Sequence, residues 1–367
     1  MKKRLFSLLL VSALVFTLSG CGEKSLLRES DPVTLNFWHV YGEQSGSPMD
    51  LLVQEFNRTV GQEKGVRVQV TNLSSASKIG GFLKEAQKGG RDAPEMPDLF
   101  TCHISDATAL GSDNLVDWNA RFTAEELSNF VPGFLADGMT EDGTLLLFPI
   151  SKSTQLLMCN GSGFARSLAQ GHVVVSDLYS NTQVMTGDVL SGLGSFAAIL
   201  YYNDTVTYQD GTQEPMDLPV LPMPKTAGVD ALMTQAGVGL CAYKTTAQKA
   251  EAAALFVRWL TESERNLDFV AQTGYMPVRN GAFDAIENYD KFPEPTESYR
   301  QLYAALKIMQ ESYTPLSEPR FEGYYGKVSQ LYDGLRQMQQ KLPARAAAGE
   351  SIDTLAEETW ALLCAIH

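Results

Sequence analysis

The stretch from Val33 to Phe56, VTLNFWHVYGEQSGSPMDLLVQEF, decides the fold. Val33, Leu35 and Phe37 alternate with the polar Thr34 and Asn36, the period of two expected of a half-buried strand. Ser47-Pro48 then marks a helix start: a hydroxyl cap, followed by a proline whose missing N–H falls where no intrahelical acceptor exists. Met49, Leu52, Val53, Phe56 and Val60 continue at the spacing of a helix with one buried face. Between strand and helix lie Trp38, His39, Tyr41 and Glu43, at the carboxyl end of the strand, where open α/β sheets take their ligands. Any one of these rings alone reads as core material. Grouped beside a glycine and an acid, they read as a binding mouth.

Downstream, Val66 to Val70 alternates as a second strand, and Ile79, Phe82, Leu83 and Ala86 form a helix face closed by Gly89-Gly90. Asp98 to Thr101 makes a third strand that ends at Cys102-His103. Strand, helix, strand, helix, strand implies a parallel sheet with crossover helices. Helical spacing runs from Ala124 to Leu135, before an Asp142-Gly143 turn. Leu145 to Ile150 and Ser153 to Met158 read as two strands joined by a polar turn, the second crossing into another lobe. Asp210-Gly211 between Thr205–Tyr208 and the residues after Thr212 is a hairpin signal. Gly237 to Ala242 is a short apolar strand, and Thr245 or Thr246 caps a helix with Ala252, Leu255, Phe256, Trp259 and Leu260 on one face. A further helix starts near Glu262 and stops at Gly274. Pro277 keeps Tyr275 to Val278 extended. The remainder is mostly helical, over Tyr299–Gln310, Tyr325–Leu342 and Ile352–Ile366.

Upstream, Lys2, Lys3 and Arg4 precede an apolar run, Leu5 to Leu18, that is shorter than the roughly 20 residues a bilayer span needs. Leu18-Ser19-Gly20-Cys21 follows, a pattern that resembles the lipobox of bacterial lipoproteins, in which Cys21 would carry the lipid. Residues 1–20 then read as a signal peptide and 21–32 as a lipidated tether. Of the 367 residues, 347 remain, enough for two lobes. They hold 26 basic and 43 acidic side chains, a net charge of −17. Such a surface repels phosphate backbones and argues against a nucleic-acid partner.

The four histidines, 39, 103, 172 and 367, show no metal spacing, and no cofactor is expected. Gly192 to Ala197 matches the dinucleotide fingerprint G-x-G-x-x-A but lacks an apolar strand before it. A secreted glycoside hydrolase would need two carboxylates set across a cleft, and no acid stands in an apolar setting. Cys102, Cys159 and Cys241 lie in apolar strands and read as buried thiols. A Cys102–Cys241 bridge is conceivable because both belong to the first lobe's sheet, but the sequence does not decide it.

With the lipobox and the acidic balance, the order of FWHVYGEQSGSPMDLLVQEFN, PDLFTCH, LLLFPISKSTQLLMCN, LPVLPMPK, GVGLCAYKTTAQKAEAAALFVRWLTESERN and TGYMPV resembles the extracellular solute-binding lipoproteins of bacterial ABC importers, in the family that includes carbohydrate receptors. The resemblance implies an α/β, two-lobed periplasmic-binding-protein-like fold with crossing hinge strands. It places the first lobe at 33–152 and 234–275, and a largely helical second lobe at 153–233 and 276–367. The second lobe is expected to be reduced, since Asn160 to Gly187 is several times shorter than in relatives. The resemblance further implies a ligand cleft lined by Trp38, Tyr41, Glu43, Thr101 and His103 from the first lobe and by Ser153 and Thr154 from the crossover. Gly194, Ser195, Tyr275, Arg320 and Tyr324 would complete it. The implied partners are a small solute, most readily a carbohydrate, an ABC permease, and the membrane through the lipid on Cys21, with the chain monomeric, extracytoplasmic and not an enzyme. The alternatives are a degenerate or non-transport surface lipoprotein and, ranked below it, a secreted glycoside hydrolase.

Overall fold

The computed structural model describes residues 25–42, 47–73, 76–154, 166–176, 180–223, 225, 228–293, 296–321 and 324–364. Cys21, Glu43 and Cys159 therefore lie outside the described residues, as does most of the expected strand Ser153–Met158.

The opening unit forms as its periodicity demands. Strand β1 (Val33–His39) buries every second residue, and helix α1 (Pro48–Arg58) has Pro48 in its first turn with the Ser47 hydroxyl accepting from the Asp50 N–H at 3.3 Å. After the short α2 (Val60–Lys64), β2 (Val66–Asn72) lies parallel to β1, with Val33 opposite Val66. Helix α3 (Ala76–Lys88) leads to β3 (Leu99–Cys102), which joins the other edge of β1, also in parallel. The fourth strand arrives much later: β7 (Gly239–Ala242) is antiparallel to β3, giving the order β2-β1-β3-β7. Parallel pairing was legible in the strand–helix alternation; the direction of β7 was not, because its partner lies about 140 residues away.

Each face of this sheet buries a different layer. On one, Leu35 and Phe37 meet Phe56 of α1 and Phe256 of α8 (Ala247–Leu260), with ring centroids at 5.8 Å for Phe37–Phe256 and 5.1 Å for Phe56–Phe256. On the other, Phe100, Cys102 and Cys241 lie beneath Ile79 and Leu83 of α3 and Ala107 and Leu110 of α4 (Ile104–Leu110). Thr246 caps α8, accepting from the Lys249 N–H at 3.1 Å. Trp118 joins the sheet to its return chain, its indole N–H donating to the carbonyls of Leu146 (3.2 Å) and Leu240 (3.1 Å).

Two expected elements take other forms. The helical pattern over Ala124–Leu135 divides into α5 (Ala124–Ser128) and α6 (Pro132–Asp137), since Pro132 has no N–H to continue the ladder and starts a new helix instead. Leu145–Ile150 is an extended run with isolated bridges, Met139 to Leu145 and Phe148 to Leu240, rather than a regular strand. Its residues are buried on all sides, so the apolar run reads correctly as core while its backbone pairs only in places.

Beyond the sheet the chain is built mainly of helices and small ribbons. α7 (Ser180–Met185) occupies part of the short interval before Gly187, and β4 (Thr205–Thr207) and β5 (Gln213–Pro215) make the hairpin around Asp210-Gly211. β6 (Leu232–Gln235) pairs in parallel with β8 (Thr314–Ser317). α9 (Ser263–Thr273) ends at Gly274, whose φ of 67° is the left-handed conformation that favours glycine. α10 (Asn280–Ala285), α11 (Thr296–Ser312), α12 (Tyr324–Ala347) and α13 (Ile352–Cys364) follow. Leu335, Leu342 and Leu355 form a separate small core with Leu168 and Ala169.

Candidate functional site

Three chain segments pass one another beside the carboxyl end of β1. Lys152 exchanges backbone hydrogen bonds with Met276 (3.2 and 2.6 Å), and Ser153 does so with Ala236 (2.9 and 2.7 Å). Residues 151–154, 234–236 and 275–278 thus meet edge to edge. Asn266, fully buried on α9, ties two of them to that helix. Its amide donates to the Ile150 carbonyl at 2.7 Å and its carbonyl accepts from the Val278 N–H at 3.0 Å.

Tyr41 stands against this seam. Its hydroxyl shares a 2.9 Å hydrogen bond with Ser151, and its ring meets Phe269 and Tyr275 edge-on at 5.2 and 5.9 Å. Burial, with Tyr275 nearby, pushes the Tyr41 hydroxyl far above the usual phenol range. Tyr275 is fixed from behind, its carbonyl accepting from the Tyr303 hydroxyl at 3.0 Å. Tyr41, Tyr275, Ser153 and Thr154 are therefore gathered at one place. The Thr154 hydroxyl lies 3.4 Å from that of Thr234.

Trp38 is directed elsewhere. Successive residues of a strand face opposite sides, so Trp38 packs with the layer under α3 and α4, while His39 points the other way and is fully buried. His39 Nδ1 accepts from the Tyr41 N–H at 3.2 Å, which leaves the proton of the neutral ring on Nε2, donating to Asp50 at 2.8 Å. Burial lowers the His39 pKa despite that carboxylate, so the ring is a neutral strut between β1 and α1.

At the end of β3, Thr101 is fully buried and His103 caps α4, its N–H donating to Asp106 at 3.4 Å. His103 has a pKa lowered to about 4, first by burial and then by the positive charge of Lys152. Lys152 itself is 1% exposed and forms an ion pair with Asp137, the last residue of α6. Arg320 comes from the far part of the chain and donates to the carbonyls of Ala136 (3.3 Å) and Asp137 (3.1 Å), and also to that of Met139, capping the same helix end. Tyr324 meets Phe321 edge-on at 5.6 Å. Gly194 and Ser195 precede the turn Phe196–Tyr201, which packs against Gly274, where a Cβ would come within 2.8 Å of Ala197 Cα.

Sequence reasoning missed Lys152, Asp137, Ser151 and Asn266. Two signals were present: a lysine inside LLLFPISKST, where every neighbour is core material, and an asparagine on the apolar face of α9. Three hydrogen-bonding atoms beside the seam, Thr101 Oγ1, Ser153 Oγ and Gln235 Oε1, are buried without a partner. Such groups are rare in folded proteins and carry a desolvation cost.

This architecture recurs in solved structures. UgpB from Mycobacterium tuberculosis in complex with glycerophosphocholine superposes with a TM-score of 0.61 at 16% identity, over 92% of this chain and 98% of that one. The sugar-binding protein MalE from Xanthomonas citri gives a TM-score of 0.59 at 13% identity, over 91% and 97% of the two chains. The cyclic alpha-maltosyl-1,6-maltose binding protein from Arthrobacter globiformis gives 0.54 at 14%, over 92% and 99%. The fold is that of the two-lobed periplasmic binding proteins. Within that fold, residues 163–294, about a third of the chain, match the family model described as bacterial extracellular solute-binding protein. The resemblance found in the sequence motifs is to the same group. No curated protein matches the chain by sequence.

Proposed function

We propose that the protein is an extracytoplasmic receptor, held at the outer face of the membrane by a lipid on Cys21, that captures a small polar solute and delivers it unchanged to an ABC permease. The lobes would be 33–152 with 234–275, and 153–233 with 276–367. A sugar or oligosaccharide is the favoured solute. The observation that carries the reading is the seam. Three crossing segments bring two tyrosine rings together with hydroxyl and amide groups, some of them without protein partners. Rings cover the apolar faces of a pyranose while hydroxyls and amides meet its oxygens. Ligand must favour the closed arrangement of lobes over the open one for capture to be communicated to a permease.

A thermal-shift screen over mono- and oligosaccharides, glycerol phosphodiesters and amino acids tests the proposal. One class should raise the melting temperature and be recovered intact. Turnover of the hit would instead identify an enzyme, and a flat response across all classes would leave a surface lipoprotein without transport function. Because Trp38 packs under α3 and α4, Trp38→Ala should leave the affinity of a sugar hit unaltered, and weakened binding would return Trp38 to the site.

A further inference from the structure

Cys102 on β3 and Cys241 on β7 are both fully buried, with their sulfur atoms 3.7 Å apart. The register places Cys102 opposite Gly239 and Cys241 opposite Phe100, so the two cysteines are diagonal neighbours across an antiparallel pair. The Cys102 thiol donates to the Cys241 sulfur, and the Cys241 thiol donates to the Leu146 carbonyl at 3.1 Å. Among the described residues no cluster of three metal-ligating side chains exists, so a metal does not account for the pair. The sulfurs are already in van der Waals contact, and a bond of about 2.05 Å asks each to move by less than an ångström.

We infer that Cys102 and Cys241 are a site of oxidative modification, closing to a disulfide that staples β3 to β7 as the chain folds outside the cytoplasm. The inference rests on the extracytoplasmic placement proposed above, since thiols persist in the cytosol and oxidise beyond it. The oxidant is another disulfide, of a protein or a small molecule. One cysteine thiolate attacks it and forms a mixed disulfide, expelling one thiol. The second cysteine then displaces the other half. One sulfur–sulfur bond forms in the protein and one breaks in the oxidant, which takes up two electrons and two protons as two thiols. Burial pushes the Cys102 thiol up, so thiolate chemistry belongs to folding, before α3 and α4 cover the sheet.

The staple has a topological meaning. The cysteines are 139 residues apart, and the chain between them contains the first crossing segment, the hairpin and β6. Both roots of that excursion lie on β3 and β7, and β3 contains Thr101 and runs directly into His103. A bond there holds the two roots together whatever the packing of the chain between them.

The test refolds the whole chain in a glutathione redox buffer, alkylates it under denaturing conditions and maps the cysteines by mass spectrometry. The expected result is a linked peptide containing Cys102 and Cys241, neither alkylated. Reduction should then lower the melting temperature by roughly 5–10 °C, from the loop-entropy relation and the usual shift per unit of stability. The double variant Cys102→Ala, Cys241→Ala should show no such response. Recovery of both residues fully alkylated, or linked to Cys159 or Cys364 instead, would overturn the inference. Because this refolding does not use the export pathway, a separate finding that the protein stays in the cytoplasm would sink the proposed function and leave the mapping result standing.

Discussion

Replacing Lys152 by methionine should be among the most damaging single changes in the molecule. The side chain is 1% exposed and its ammonium pairs with Asp137, whose side chain is 9% exposed. Methionine keeps most of the stem and removes the charge, leaving a buried carboxylate without its cation. Breaking such a pair costs about 3–5 kcal/mol. Guanidinium unfolding of wild type and variant at pH 7 measures it, and adding Asp137→Leu to the variant should restore most of the loss. A penalty below about 1 kcal/mol would refute a buried, singly compensated carboxylate.

Three further outcomes follow from the same geometry. Asn266→Ala strands the Ile150 carbonyl and the Val278 N–H inside the protein, so unfolding experiments should register a loss of about 2–4 kcal/mol, whereas a loss confined to a few tenths would mean the seam is held elsewhere. His103, with a pKa of about 4 when folded against 6.5 when unfolded, binds fewer protons in the native state; the stability it contributes is full above pH 6.5 and is lost as pH falls towards 4. That leg amounts to about 3 kcal/mol, and an acid-unfolding curve of His103→Gln should be flatter through the same window; an unchanged curve would place the proton uptake elsewhere. Gly274→Ala combines a left-handed backbone with a Cβ 2.8 Å from Ala197 Cα and should lower the unfolding free energy by about 2–4 kcal/mol, whereas a neutral substitution would show that the turn before the third crossing is free to shift.

Much of the fold was legible because it depends on local rules. The alternation in β1, the Ser47-Pro48 start, the Gly89-Gly90 and Gly274 stops and the Asp210-Gly211 turn each act within a few residues, and all appear where the pattern puts them. The group at the mouth was harder to interpret. Tyr41 reaches the seam, but Trp38 and His39 face opposite sides of one strand, and neighbours in sequence need not share a site. The ion pair of Lys152 with Asp137 was invisible because charge in a sequence carries no burial; only the apolar letters around Lys152 hinted at it.

From its letters alone the chain specified a strand–helix unit repeated into a parallel sheet, covered by helices with apolar faces, and an excess of acidic side chains. These follow from side-chain period, backbone stereochemistry and composition, which need no distant partner. Folding in three dimensions decided which residues meet across long separations: the antiparallel docking of β7, the three segments crossing at Lys152, Ser153 and Met276, and the thiols of Cys102 and Cys241 set side by side. Those contacts depend on how the layers pack over one another, and packing is a property of the whole molecule.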